Sequence, residues 1–203
     1  AEYGELPQPT RLGYDFEGWY TQKEGGEKIG GSTHVAIGKD HTLYAHWRVK
    51  PETYLADLTQ YEWAGSSGAW SRRTEPGREV LDNHNAIHSY GFVGQEDSVS
   101  LLDPNTVTYD IERAYARFTG AWGLQEQSGT TMEGGRALWL EIHGDGRLIY
   151  TSPEISSGSA VKPIDIDVSG VQYLKFVLCS NIPPSERIPY WTGYGLFDPI
   201  LIR

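Results

Sequence analysis

The sequence holds a single cysteine, Cys179, so no intrachain disulfide can form and cysteine usage carries no compartment signal. Cys179 ends an apolar run and reads as a small buried hydrophobe. A run of roughly 18 apolar residues, the minimum for a spanning helix, is missing, which argues against membrane insertion. No secretory leader and no lipidation motif are found, and the chain reads as a piece cut from something longer. Basic residues are scarce: 17 Lys and Arg stand against 27 Asp and Glu, a net charge of −10. A phosphate backbone would be repelled, so nucleic acid is excluded as a partner, and an acidic surface also opposes anionic lipid. The charge itself reads as a device for solubility. There is no P-loop, no dinucleotide-binding glycine fingerprint and no Gly-x-Ser-x-Gly elbow. No long apolar stripe repeats at 3.6 residues, so a helical core is not expected.

What is abundant is glycine, at 24 residues, and aromatics, at 12%. Residues 136–178 show why that composition belongs to strands. Leu138, Leu140 and Ile142 alternate with Trp139, Glu141 and His143, and Gly144-Asp145-Gly146 then leads into Arg147-Leu148-Ile149-Tyr150. Alternation on both sides of a Gly-Asp-Gly turn predicts a β-hairpin. Ile164, Ile166 and Val168 alternate with Asp165 and Asp167, and Leu174, Phe176 and Leu178 with Tyr173, Lys175 and Val177. Strands with one apolar face bury it against a second sheet, so this half of the chain predicts an antiparallel β-sandwich. Further strands are expected over Val107–Ile111 and Tyr115–Gly123, the latter with Ala116, Phe118, Gly120 and Trp122 on one face, and over Phe197–Ile202. Polar or Pro-rich loops are expected over Gln125–Arg136 and Asn181–Gly195.

The first fifty residues differ in texture. Leu6-Pro-Gln-Pro-Thr-Arg is an extended proline segment, Gly13–Tyr20 is a strand with Tyr14, Phe16 and Trp19 facing inward, Glu24-Gly-Gly-Glu is a turn, and Thr42–Trp47 is a last strand. A core of that size is marginal alone. Pro51 among charged residues marks a linker over residues 48–53. The chain thus divides into residues 1–50 and residues 51–203.

Both parts resemble known families. Tyr3-Gly-Glu-Leu-Pro-Gln-Pro-Thr-Arg, Gly13-Tyr-Asp-Phe-Glu-Gly-Trp-Tyr-Thr and Leu43-Tyr-Ala-His-Trp resemble the Listeria–Bacteroides (internalin B-type) repeat, a β-grasp-like spacer of bacterial surface proteins. The family opens with a strand ahead of the Tyr-Gly element, whereas this chain begins after it. The expected result is a partial repeat with an exposed edge free to pair with another chain.

Tyr54-Leu-Ala-Asp-Leu, Thr108-Tyr-Asp-Ile, Arg117-Phe-Thr, Gly144-Asp-Gly-Arg-Leu-Ile-Tyr, Ile166-Asp-Val-Ser-Gly-Val and Asp198-Pro-Ile-Leu resemble, in order, the NPCBM family of carbohydrate-binding modules. That resemblance implies a galactose-binding-like jelly-roll β-sandwich in a secreted or cell-surface bacterial protein, a glycan partner held by loops at one end (a galactose-type sugar among the candidates), and a structural calcium ion. The family's Gly-Thr-His-Ala is replaced by Val93-Gly-Gln-Glu. Its closing His-Ala-Asp-Trp-Ala-Asp becomes Gly193-Tyr-Gly-Leu-Phe-Asp198, so that Gly193, Gly195 and Leu196 stand for the His, Asp and Trp. The sequence as a whole is therefore all-β, and any sugar site differs from the usual one.

A sugar site needs an aromatic wall for the ring's C–H face and polar groups for its hydroxyls. Trp63, Trp70, Tyr190, Trp191 and Tyr194 lie in predicted loops, and Arg72, Arg73, Asn83 and His88 can supply hydrogen bonds. Each aromatic has a plainer reading, as a cap folded back on the sandwich. His84 and His88 have the i, i+4 spacing of a zinc pair only if they share a helix, with Asp82 nearby. Asp57 and Asp198 are the calcium candidates that the resemblance implies, since calcium takes six to eight oxygens. No catalytic residues are assigned, and the chain is read as no enzyme. A structural or adhesive spacer, and a glycoside hydrolase fragment with paired carboxylates roughly 5–10 Å apart, stay open as alternatives.

Overall fold

The computed structural model describes the chain except residues 12, 37, 65–70, 74–79, 82–86, 89–90, 97–104, 126–134 and 182–191, and describes backbone alone at 63–64, 71–73, 80–81, 87, 91–96, 105 and 192. The chain forms two compact units, Ala1–Glu52 and Thr53–Arg203. The strand pairs whose register is described are antiparallel, and among the described residues no helix is long and apolar enough to cross a membrane.

In the first unit β1 (Tyr14–Tyr20) lies between β2 (Lys28–Ile29) and β3 (Tyr44–Val49). A bulge between Phe16 and Gly18, where Gly18 takes φ +134°, breaks the two-residue alternation. That extra residue brings Phe16 and Trp19, three apart in sequence, into ring contact at 5.6 Å, and Phe16 also meets Trp47 at 5.3 Å. The Trp19 indole N–H donates to the Pro7 carbonyl at 2.8 Å and ties the proline segment to the sheet. β3 is an edge strand, with Tyr44 and Val49 exposed.

The second unit opens with β4 (Glu52–Tyr54) and a 3-10 turn (Leu55–Asp57). Then come β5 (Gln60–Ala64), β6 (Ser71–Arg73), β7 (Val80–Leu81), β8 (Ile87–His88), β9 (Gly91–Glu96) and β10 (Asn105–Asp110). These are followed by β11 (Arg117–Leu124), β12 (Leu138–Gly144), β13 (Arg147–Thr151), β14 (Lys162–Asp167), β15 (Tyr173–Ser180) and β16 (Thr192–Ile202). One sheet runs β13-β12-β15-β10-β5; the other runs β14-β11-β16-β9-β6, with β4 also on β16, and β7 pairs with β8.

The alternating apolar residues meet between the sheets. Leu138, Leu140, Ile142, Leu174, Phe176 and Leu178 are buried from one side, and Phe118, Trp122, Tyr194, Leu196 and Leu201 from the other. Phe118 and Phe176, on opposite sheets, have ring centroids 5.3 Å apart. Burial of each such side chain is worth about 1.5–3 kcal/mol, which makes this seam the main cohesive element. Asp145 (φ +49°) and Gly146 (φ +80°) form the two-residue turn between β12 and β13, and two positive φ values are what a type I′ hairpin needs.

Two expectations are corrected here. The loop over Asn181–Gly195 is too long: β16 already begins at Thr192 and pairs with β11 on one side and β9 on the other. Tyr194 is therefore a core strand residue, fully buried, with its ring 5.7 Å from that of Trp122. His88 lies in a β-strand, and the His84 and Asp82 weighed beside it for zinc lie outside the described residues. Cys179 is half-buried rather than buried; burial first, and the nearby Glu141 next, push its thiol up to about 11.

Candidate functional site

The strand registers gather one set of strand ends. In the first sheet Thr106 stands opposite Ala64, Asn105 opposite Leu178, and Leu138 opposite Ser180. In the second, Leu124 stands opposite Tyr194, Thr192 opposite Glu96, and Ser71 opposite Val93. The chain therefore changes sheet four times from these strand ends, between residues 64 and 71, 96 and 105, 124 and 138, and 180 and 192. Trp70, Tyr190 and Trp191 belong to these connections by sequence, and all three lie outside the described residues.

The feet of these connections are held by two amides that the sequence reading did not single out. Asn181 accepts from the Ala137 N–H at 2.8 Å and donates to the Gly135 carbonyl at 2.8 Å. The Gln125 backbone N–H donates to the Gly193 carbonyl at 2.9 Å, and its side-chain amide donates to the Tyr194 carbonyl at 3.1 Å. Both residues sit just beyond a strand end, where free backbone groups need partners. An Asn or Gln immediately after an alternating apolar run was the available signal.

The remaining candidates are dispersed. Trp63, expected in a loop, lies instead within strand β5 opposite Val107, and Arg72 stands opposite Phe92 in β6, with only their backbones described, as for Arg73. Asn83 lies outside the described residues. Asp57 is exposed on the 3-10 turn.

The structure does join two candidates assigned to different roles. His88 Nδ1 and Asp198 Oδ2 are 2.8 Å apart. The His88 ring also stacks on Phe197, with centroids 4.4 Å apart and planes within 22°. Asp198 takes φ +45° at the irregularity between β16 and β11, which turns its carboxylate toward His88 and out of the regular alternation.

Phe197 packs away from the main core, against Ala121 and Val161. Its ring lies over two glycines: a Cβ at Gly195 would stand 2.7 Å from it, and one at Gly123 3.3 Å. The ring thus fills space above position 195, where the family pattern carries an aspartate. The glycine is a packing requirement of Phe197, and the usual carboxylate has no room in this arrangement.

Among the described residues no group of three or more His, Cys, Asp or Glu is placed to hold a metal ion. Asp57 and Asp198 offer carboxylate oxygens, and the Asp198 carboxylate is already engaged by His88.

Comparison with known proteins agrees with this architecture. Residues 1–46 match the Listeria-Bacteroides repeat domain and residues 53–181 the NPCBM/NEW2 domain. The fold is similar to that of CBM51 from Clostridium perfringens GH95, solved in complex with methyl-galactose, at 16% identity and TM-score 0.54, covering 74% of this chain and 99% of that one. It is also similar to the Clostridium perfringens ZmpB structure of CBM51-2 in complex with GlcNAc and INT domains, at 14% identity and TM-score 0.56. That alignment covers 94% of this chain, which spans 40% of the ZmpB structure's length. The tandem CBM51 modules of Sp3GH98 from Streptococcus pneumoniae SP3-BS71 match at 14% identity and TM-score 0.57, over 75% of this chain and 47% of theirs. The match over residues 53–181 spans more than half of the 203 residues, and the chain belongs to the NPCBM/NEW2 domain family.

Proposed function

We propose that residues 53–203 are a non-catalytic carbohydrate-binding module of a secreted or surface-attached bacterial protein, binding a glycan at the end of the sandwich where the four connections leave. The observation that carries this is the gathering of strand ends 64, 71, 96, 105, 124, 138, 180 and 192. Segments bearing Trp70, Tyr190 and Trp191 must start and finish there. A site of this kind holds a sugar by aromatic contact and a few fixed polar groups. The similar folds solved with methyl-galactose and with GlcNAc supply the first ligands to try, a galactoside and an amino sugar.

A glycan array followed by calorimetry on the whole chain tests the reading. Millimolar or tighter binding to a galactoside or an N-acetylated sugar is expected, with Trp191→Ala weakening it roughly tenfold at unchanged Tm, a loss in the range of one aromatic contact. Silence across galactosides, glucosides and amino sugars refutes it. It would leave the second reading, a structural or adhesive spacer, which is favoured by Gly193 and Gly195 at positions where the family carries His and Asp.

Calcium belongs to the same proposal. Asp57 and Asp198 would contribute carboxylate oxygens, with backbone carbonyls and water completing the six to eight that the ion takes. The ion's contribution would be to fix the chain between the 3-10 turn and β16. Chelation with EDTA should then lower the Tm, and an unchanged melt removes the ion from the account. In the first unit, the β3 edge with exposed Tyr44 and Val49 is proposed to accept an extended strand from another chain.

A further inference from the structure

The first unit, read from sequence as a spacer, contains a cleft of about 510 Å³ between the extended segment 4–8 and strands β1 and β2. We propose that this cleft is a second saccharide site, taking a short neutral sugar, independent of the connections at the end of the sandwich. Its volume falls inside the range of small-molecule pockets, roughly 300–1,000 Å³.

One side of the cleft is apolar. Phe16 and Trp19 line it, in an edge-on pair at 5.6 Å, and Ile29 is buried at its base. The Trp19 indole N–H is committed to the Pro7 carbonyl. The indole is thereby fixed in place before any ligand arrives, and it offers its carbon surface instead of its donor. A sugar's C–H face needs such a wall.

The cleft stays open because glycines line it at close approaches. Gly4 N–H donates to the Gly31 carbonyl at 2.9 Å, and a Cβ at Gly31 would stand 2.6 Å from the Gly4 carbonyl oxygen. At the β1 bulge a Cβ on Gly18 would stand 2.6 Å from Lys28 Cε, so the lysine stem lies across the bulge and carries its ammonium along the cleft.

The polar lining is uncommitted. Glu5, Gln8, Glu17 and Lys28 are exposed, and among the described residues none of their side chains has a hydrogen bond or ion pair with another protein group. Two carboxylates and an amide oxygen accept from hydroxyls, while an ammonium and an amide N–H₂ donate to them. Hydroxyl arrays need both kinds of partner beside one apolar wall. Two carboxylates against one ammonium disfavour an acidic sugar, since like charges at this range repel. The chemistry therefore selects a neutral mono- or disaccharide over a uronic or sialic acid.

The test is amide and indole NMR on the full chain, titrated with lactose, with galacturonic acid and with triglycine. Lactose should shift the Trp19 indole N–H and the Gly18, Gly30 and Gly31 amides. Galacturonic acid should bind several-fold more weakly at those signals. The double variant Glu17→Gln/Lys28→Met leaves the aromatic wall intact and should weaken lactose roughly tenfold, about 1.4 kcal/mol, with the Trp19 indole signal unmoved in the absence of sugar. Shifts confined to residues 53–203 overturn the proposal while sparing the sandwich-end site. Shifts at the cleft with triglycine and none with lactose overturn it in favour of a peptide ligand.

Discussion

A methyl group at position 195 would stand 2.7 Å from the ring of Phe197, and the ring cannot easily move away, because His88 is stacked 4.4 Å from it and Val161 packs beside it. Gly195→Ala should destabilise the second unit by about 1–3 kcal/mol, the usual cost of overpacking a filled site. The denaturation midpoint in urea should fall with the m-value unchanged. Adding Phe197→Leu should recover part of the loss, because a smaller side chain relieves the clash. A Gly195→Ala protein as stable as the parent would mean that the glycine was never demanded by this ring. The contrast with Phe176 is instructive. That ring sits in the main seam, fully buried against Phe118, and Phe176→Ala should cost about 3–5 kcal/mol through the cavity it leaves. Phe176 could be placed from its alternating neighbours alone. The role of Phe197 could not, because its partners His88, Gly123 and Val161 are distant in sequence and glycine leaves no side-chain signature. For the same reason the burial of Tyr194 was missed: two glycines flank it, and they hide the alternation that marks a strand.

The hairpin β12–β13 shows how an element fixes its surroundings. Its Gly-Asp-Gly turn was legible, because few residues tolerate two successive positive φ values. The carboxylate of Asp145 does more than turn the chain: it accepts from the Tyr173 N–H at 2.9 Å and the Gln172 N–H at 3.2 Å, and so ties the turn to the start of β15. These donors, Tyr173 first, hold the Asp145 carboxyl below the ordinary aspartate value of 3.8. A lowered folded-state pKa means that the stability is fully present above the unfolded value and is lost as pH falls through the folded one. Asp145→Ala should therefore lower the Tm by roughly 2–4 °C at neutral pH, and the gap to the parent protein should narrow progressively below pH 3.8. A gap that stays constant down to pH 2 would show that the carboxylate's charge has no part in it. At the edge of the other unit, β3 pairs with β1 alone among the described strands and carries exposed Tyr44 and Val49, and charged residues on an edge oppose pairing. If two copies of the chain pair there, sedimentation should show a concentration-dependent dimer that Val49→Lys disperses.

At the scale of the whole molecule the two units differ most in how much they bury. Among the described residues Ile29 is the buried apolar residue of Ala1–Glu52, whereas the core of Thr53–Arg203 runs from Leu55 to Leu201. A unit of some 52 residues hides a smaller share of its surface than one of 151 and is more marginal. Calorimetry of the full chain should show two transitions, the smaller at lower temperature. At about 0.7 kcal/mol per residue their enthalpies should be near 36 and 106 kcal/mol. A saccharide acting at the sandwich end stabilises only the larger, by RT ln(1 + [L]/Kd), or about 2.7 kcal/mol at a hundredfold excess over Kd. Lactose in the cleft beside Trp19 raises the smaller one, and a galactoside held at both places raises both. Ligand titration of the two melting transitions thus separates the two sugar proposals without any mutation. A single transition carrying the summed enthalpy would contradict the division at Glu52, because two cores that melt as one must share more than the short stretch of chain between them.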